Sequence, residues 1–322
     1  MRSEPLLSIV IPIFNEERTL PELYRRLRET RRHLPGEAEI LFVNDGSTDA
    51  SLELLQGFRG RDETVRIVDL SRNFGHQAAL SAGLEYARGQ AVVLMDGDLQ
   101  DAPELLPELV KRWEEGWEVV YVVREGRREN ALRRLAVSTF YRVLSAVSSV
   151  PLPLDAGIFS LLDRKVVEVL RSVPERSRYL SGLRAWSGFR QIGIPIERDA
   201  RYAGKPRQSA RKLLRLAADA LFSFSYAPLR VATAVGAVTA LGSFLLGGTV
   251  VALRLFTDLA IPGWSSILAT ITFLGGVQLL GLGILGEYIG RIYDEVKERP
   301  LYVVRATYGL ADLRTPRVKE VI

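Results

Sequence analysis

The chain has 322 residues, 47% of them hydrophobic, a formal net charge of +5, no cysteine and only two histidines, His33 and His76. Such apolar content serves one large domain plus a smaller one and excludes a disordered chain; the missing thiols exclude disulfides, thiolate metal sites and cysteine nucleophiles, and fit a reducing compartment. Two histidines leave little for zinc-hydrolase or Ser-His-Asp chemistry, so the reactive groups are carboxylates, while a positive balance suits nucleic acid, anionic lipid or an acidic small substrate alike.

The first apolar run, Leu6 to Phe14, is ended by Asn15-Glu16. That is too early for a signal sequence, so the first domain is expected not to be exported. Five short β-rich runs follow one another at Leu7–Ile13, Glu39–Val43, Val65–Leu70, Ala91–Met95 and Val119–Val123. Between them, helical spacing of apolar residues runs from Thr19 to Leu34, after Asp49, from Gly75 to Ala87 and from Pro103 to Glu115, with Pro21 and Pro103 suited to first turns. Repeated β-α units predict an α/β domain with a mostly parallel sheet covered by helices. Ligands bind beyond the carboxyl ends of such strands, which points to Asn15-Glu16, Asn44-Asp45-Gly46-Ser47, Ser71-Arg72-Asn73 and Asp96-Gly97-Asp98.

Of these clusters the last carries the most chemistry. Asp96 and Asp98 directly follow the buried-type run Ala91-Val92-Val93-Leu94-Met95, and two carboxylates there repel each other unless a hard cation lies between them. Mg²⁺ or Mn²⁺ typically takes one or two protein carboxylates while bridging substrate phosphate oxygens. Gln100 adds a neutral oxygen, and on an extended stretch alternate residues would face one side. Such a metal stabilises charge on a departing diphosphate. The competing reading is an acidic helix start, and it is the expected role of Asp101, ahead of the helix near Pro103.

Towards the C-terminus the composition changes. Between Arg230 and Arg254 lie 23 residues without charge, roughly 34 Å as a helix, enough to cross a ~30 Å hydrocarbon core. A second uncharged interval runs from Leu259 to Gly286, with Pro262-Gly263 marking the turn. The expected organisation is a domain at 1–208, an interfacial amphipathic helix at 209–228, two spans at about 229–255 and 265–289 within 229–293, and a C-terminal tail at 294–322. Basic residues flank the pair at Lys205, Arg207, Arg211, Lys212, Arg215 and Arg230 before and Arg291, Lys297 and Arg299 after, while the connecting loop has only Arg254 and Asp258. The positive-inside rule then places the domain and both termini in the cytoplasm, on a multi-pass protein of the inner membrane. Basic residues concentrated beside the spans argue against nucleic acid as a partner.

Val10-Ile11-Pro12-Ile13-Phe14-Asn15-Glu16, Val43-Asn44-Asp45-Gly46-Ser47-Thr48-Asp49 and Asp96-Gly97-Asp98-Leu99-Gln100 resemble glycosyltransferase family 2, with its GT-A, Rossmann-like nucleotide-sugar fold. Leu285-Gly286-Glu287-Tyr288-Ile289-Gly290-Arg291-Ile292-Tyr293 and Arg299-Pro300-x-Tyr302 resemble its polyprenyl-phosphate branch, the GtrB-like and dolichol-phosphate-mannose-synthase-like enzymes. The resemblance implies that Pro12, Phe14, Glu16 and Asp45 line the base and ribose pocket, with Gly97 beside them. It further implies that Asp96, Asp98 and Gln100 handle ribose and metal, and that Arg201 closes over the donor diphosphate. Arg124, Arg134 and Ser138 match positions that contact acceptor phosphate, and Asp155 an acid of the sugar pocket. Phe14 also suits a core, Glu16 a helix start, Asn73 and Gly75 a turn, and Asp155 a cap.

The implied reaction is inverting transfer of a hexose, glucose from UDP-glucose, to polyprenyl (undecaprenyl) phosphate; a lipid phosphate with second pKa near ~6 is already a nucleophile and needs no base. Other donors (GDP-mannose, an aminoarabinose type), a processive polysaccharide synthase and a non-catalytic nucleotide-binding scaffold are the alternatives. Leu183-Arg184-Ala185-Trp186 lacks the Gln-x-x-Arg-Trp pattern of processive synthases, and Ile158-Phe159-Ser160 stands where many relatives carry Asp-Phe-Arg. Gly204-Lys205-Pro206-Arg207-Gln208-Ser209 likewise departs from the usual Gly-Glu-Ser-Lys loop. A homotetramer is expected from the resemblance.

Overall fold

The structure, a computed structural model, describes residues 5–125, 156–176, 178–197, 227–256 and 263–310. Strand β1 (Leu7–Ile13) is apolar at nearly every position, as a strand covered on both faces must be. It lies in parallel register between β2 (Ala38–Asn44) and β4 (Ala91–Leu94), with Leu7 opposite both Ala38 and Ala91. The third strand, β3 (Val65–Leu70), extends the parallel set on the far side of β2.

Period-two alternation sends the two sides of each strand into different cores. Leu7, Ile9, Ile11, Ile40 and Phe42 pack under α1 (Leu20–Arg31), α2 (Ser51–Arg61) and α4 (Leu106–Glu114). Val10, Leu41, Val43 and Val68 pack under α3 (His76–Tyr86), α5 (Arg164–Ser172) and α6 (Leu180–Trp186). These are the five predicted strands and four predicted helices, with Pro21 in the first turn of α1 and Pro103 opening a 3₁₀ turn ahead of α4.

Beyond β5 (Val119–Glu125) lie elements that the periodicity did not single out. Strand β6 (Ala156–Asp163) inserts antiparallel between β4 and β5, and β7 (Gln191–Glu197) runs parallel to β5 at one edge. Asp163 ends β6 and caps α5, accepting from the Lys165 N–H at 2.9 Å. At the other edge β8 (Val304–Tyr308) pairs antiparallel with β3, giving the order β7-β5-β6-β4-β1-β2-β3-β8. The stretch read as a tail at 294–322 therefore starts within a helix and then supplies a strand. Pairing covers the free edge of β3, and Arg305 lies 3.6 Å from the buried Asp69 carboxylate.

One buried charge cluster ties this half of the sheet together. Glu39 sits 2.6 Å from Arg66 Nε and 2.9 Å from Arg88, and accepts the Ser8 hydroxyl at 2.6 Å. Each buried charge there has an opposite partner, the condition under which such groups are tolerated.

A second compact unit comprises the two long helices, α7 (Ala227–Phe256) and α8 (Trp264–Val296), of 30 and 33 residues. At ~1.5 Å per residue they are about 45 and 50 Å long. Val231–Thr249 and Phe273–Val296, with mean hydropathy 1.7 and 1.3, are long and apolar enough to cross a membrane. Leu241, Phe244, Ile271 and Leu279 project outward, Phe244 being 82% exposed, an apolar surface of the kind that lipid covers. These helices form a candidate membrane hairpin, each longer than its predicted span. The predicted interfacial helix at 209–228 falls outside the described residues, except for its last two, which open α7.

Candidate functional site

Four loops meet at the carboxyl ends of β1 to β4, and backbone hydrogen bonds hold the strand ends in step: Asp45 N–H to Ile13 at 2.8 Å and Met95 N–H to Val10 at 3.1 Å. The loops after β1 and β2 are laced together. Asn15, left-handed at φ 55°, receives the Thr48 N–H at 2.8 Å and donates its own N–H to Ser47, while Glu16 N–H reaches Ser51. Burial would raise the Asp49 carboxyl, but hydrogen bonds from Ser51 and the Glu17 N–H outweigh it and hold the group below its ordinary range.

Asp45 is 3% exposed, and both its oxygens are engaged: it accepts Phe74 N–H at 2.7 Å and Gly75 N–H at 3.0 Å. The acid thus pins the loop after β3 to the loop after β2, at the positive N-terminal end of α3. Close approach is essential to this arrangement. Gly46 has φ +65°, and a Cβ there would stand 2.4 Å from the Arg72 carbonyl carbon, so no side chain fits.

Directly after Gly75, His76 Nε2 lies 3.3 Å from Asp96 Oδ1. Asp45, Gly75, His76 and Asp96 therefore form one line from the end of β2 to the end of β4. Gly97 packs so tightly on β1 that an added Cβ would come within 2.7 Å of Ile13 and 3.2 Å of the Pro12 carbonyl. The expected extended stretch is not present. Residues 97–100 turn, with buried Leu99 left-handed at φ 60° and Asp98 Oδ1 accepting the Gln100 N–H at 3.1 Å, so Asp96, Asp98 and Gln100 do not share a side by alternation. The core demand of Leu99 decides this, since burying it forces the backbone to fold over. Asp101 is buried, but the turn at Pro103 has Ala102 at its N-cap and no side-chain cap, which corrects the capping role expected for it.

Phe14 lies outside both cores at 39% exposure, and Glu16 stands in the turn ahead of α1 rather than at its start, accepting the Thr19 hydroxyl at 2.7 Å. Pro12, Asp96, Asp98 and Gln100 are half-buried, within reach of a ligand. Among the described residues no three His, Asp or Glu side chains form a ready metal cage. Two carboxylates with hard oxygens nearby nevertheless fit Mg²⁺ or Mn²⁺, which leave most of their coordination to phosphate and water. On the other half of the sheet, Arg124 is placed near the end of β5, opposite Ile196, at the same sheet end as Asp96. Arg134, Ser138, Asp155 and Arg201 lie outside the described residues.

Two residues escaped the sequence reading. His76 carried a signal, being one of two histidines and directly after a loop singled out as a ligand site. Arg184 carried none, since it stands in an apolar helix, α6. It is 2% exposed, its guanidinium lies 4.7 Å over the Tyr121 ring, and burial draws its pKa down to about 10.

A family model described as "Glycosyl transferase family 2" matches residues 8–171. The chain is 44% identical over 311 residues to an uncharacterized glycosyltransferase, YkcC, of Bacillus subtilis (strain 168), covering 96% of each. It is 39% identical to the SfII prophage-derived bactoprenol glucosyl transferase of Shigella flexneri, covering 94% of this chain and 98% of that one. It is also 37% identical to the prophage bactoprenol glucosyl transferase homolog of Escherichia coli (strain K12), covering 93% and 98%.

Proposed function

The chain belongs to glycosyltransferase family 2, and on that premise we propose that it transfers a hexose, glucose from UDP-glucose, to polyprenyl phosphate at the cytoplasmic face of a membrane. The observation that carries this reading is the line from Asp45 through Gly75 and His76 to Asp96. It joins the loops suited to a nucleotide with the acids suited to its diphosphate. The membrane hairpin and the bactoprenol glucosyl transferases among the relatives support the lipid acceptor.

In the reaction an oxygen of the lipid phosphate attacks the anomeric carbon from the face opposite the nucleotide. The new carbon–oxygen bond forms as the bond to the diphosphate breaks, and the electron pair leaves on the β-phosphate oxygen, inverting the centre. The nucleophile is ionised at neutral pH, so no protein base is required; positioning and leaving-group stabilisation carry the catalysis. Asp96 and Asp98, with Gln100, would hold a divalent cation that neutralises charge on the departing diphosphate. Phe14 offers a face to the base, and Asp45 keeps the surrounding loops preassembled. Arg124, Arg134 and Ser138 are assigned to the acceptor phosphate, for which an arginine's two-pronged donor set is suited. Asp155 is assigned to orienting the sugar and Arg201 to covering the diphosphate.

Purified full-length protein with Mg²⁺ or Mn²⁺, a panel of nucleotide sugars and undecaprenyl phosphate is expected to yield a lipid-phosphate-sugar. Free sugar without lipid product would refute the acceptor.

A further inference from the structure

We propose that Arg184 is an anion-binding residue beside the carboxyl end of β5 and the start of β6, held without a counter-charge among the described residues so that a phosphoryl oxyanion of a substrate completes it. The proposal rests on the transfer reading above for the source of that oxyanion, whose chemistry a lipid phosphate and a nucleotide diphosphate share.

A guanidinium offers five N–H donors. Among the described residues, only Nη1 of Arg184 finds an acceptor, the Gly157 carbonyl at 3.4 Å, the long limit for such a bond. Nε and Nη2 are buried and have no hydrogen-bond partner there. Among the described residues no carboxylate acts on the group either; its electrostatic neighbours there are the phenols of Tyr121 and Tyr179. A buried cation in this state is costly and calls for an explanation. Arg66 shows how this chain treats a buried guanidinium with a structural task, setting it 2.6 Å from Glu39.

The placement is specific. Gln191 Nε2 and the Ser187 hydroxyl both donate to the Arg184 carbonyl, at 3.1 and 2.6 Å, fixing the backbone while the head group stays unsatisfied. Gly157 and Ile158 lie at the start of β6, which runs antiparallel to β4, so they flank the sheet end that carries Asp96 and Asp98. Tyr121, Gly157 and Ile158 are each half-buried. The guanidinium thus lies beneath residues that are themselves partly exposed. The loops suited to the nucleotide follow β1, β2 and β4, whereas Arg184 covers β5, two strands from β4. That position favours the acceptor's phosphate as the source.

The test uses the full-length chain in detergent, as wild type, Arg184→Met and Arg184→Lys, and reads thermal unfolding with and without farnesyl phosphate or UDP, alongside transfer kinetics. Without ligand, Arg184→Met is expected to unfold at the same temperature as wild type or a few degrees higher, because an uncompensated charge is gone. Farnesyl phosphate should raise the melting temperature of wild type, raise it less in Arg184→Lys, and leave Arg184→Met unmoved. The KM for polyprenyl phosphate should rise about tenfold or more in Arg184→Met, the loss of one charge-assisted pair, with the KM for UDP-glucose unchanged. If UDP protection and the UDP-glucose KM respond instead, the anion site stands and its source is the donor. A lower melting temperature in Arg184→Met with unchanged ligand responses and kinetics would overturn the proposal and make Arg184 structural. Should wild type form no lipid product while farnesyl phosphate still protects it through Arg184, the transfer reading fails and the anion site survives.

Discussion

In the β1–β2–β3 half of the sheet, Arg66 is buried 2.6 Å from Glu39, and Asp45 has both oxygens filled by backbone N–H groups. In the β5–β6–β7 half, Arg184 is also buried, and among the described residues two of its nitrogens are unpartnered and no carboxylate acts on it. The first half sets its buried guanidinium against an opposite charge, though Arg66 Nε itself makes no hydrogen bond; the second has no such counter-charge among the described residues. The difference matches a two-substrate reaction. On the transfer reading proposed above, the donor would meet loops already locked in place, which avoids reorganisation during catalysis, while the acceptor side would be satisfied only when an anion arrives.

The comparison can be broken by giving the first half the condition of the second. Glu39→Ala leaves Arg66 and Arg88 without their partner, and chemical denaturation should show a loss of about 3–5 kcal/mol. Arg184→Met, by contrast, should cost no stability. At the seam between the halves, Asp98→Asn should lower sugar transfer by roughly 10²–10³-fold, as expected when stabilisation of a departing anion is lost, with the melting temperature near that of wild type. A scaffold without catalysis would show no such loss, since it has no transfer to lose.

Gly46→Ala tests the close approach on the donor side. Its left-handed backbone and the 2.4 Å approach to Arg72 predict about 1–3 kcal/mol of destabilisation, together with a raised KM for the nucleotide sugar. The smallest effect is expected at His76, which steadies Asp96 from 3.3 Å. His76→Gln should weaken Mn²⁺ binding about tenfold, as removing a partner of a metal-holding group does, measured by calorimetry in the presence of UDP. Equal affinity in the variant would show that His76 does not position the acid.

The parallel strands β1 to β4 were legible because each is covered on both faces and reads as a short, mostly apolar, β-branched run between turn residues. Strands β6 and β7 were not. Gly157 and Ser160 break the apolar run of β6, and Gly193 and Pro195 interrupt β7, so their strand character comes from pairing with neighbours rather than from composition. Strand β8 was hidden for another reason. Five residues after a long apolar helix carry little local signal, and only the free edge of β3 gives them a place.

The candidate site divides in the same way. Asp45, Asp96 and Asp98 were found because strand ends in an α/β sheet are where ligands bind, and local sequence locates strand ends. The turn at Leu99, the tie from His76 to Asp96 and the isolation of Arg184 were not readable, because each depends on residues distant in sequence meeting in space. The family, the β-α order, the acids at the end of β4 and two helices able to span a membrane are all written in contiguous residues. The tertiary structure decided which buried charges are matched and which is left waiting, because a charge's partner is chosen by packing across strands and not by its neighbours along the chain.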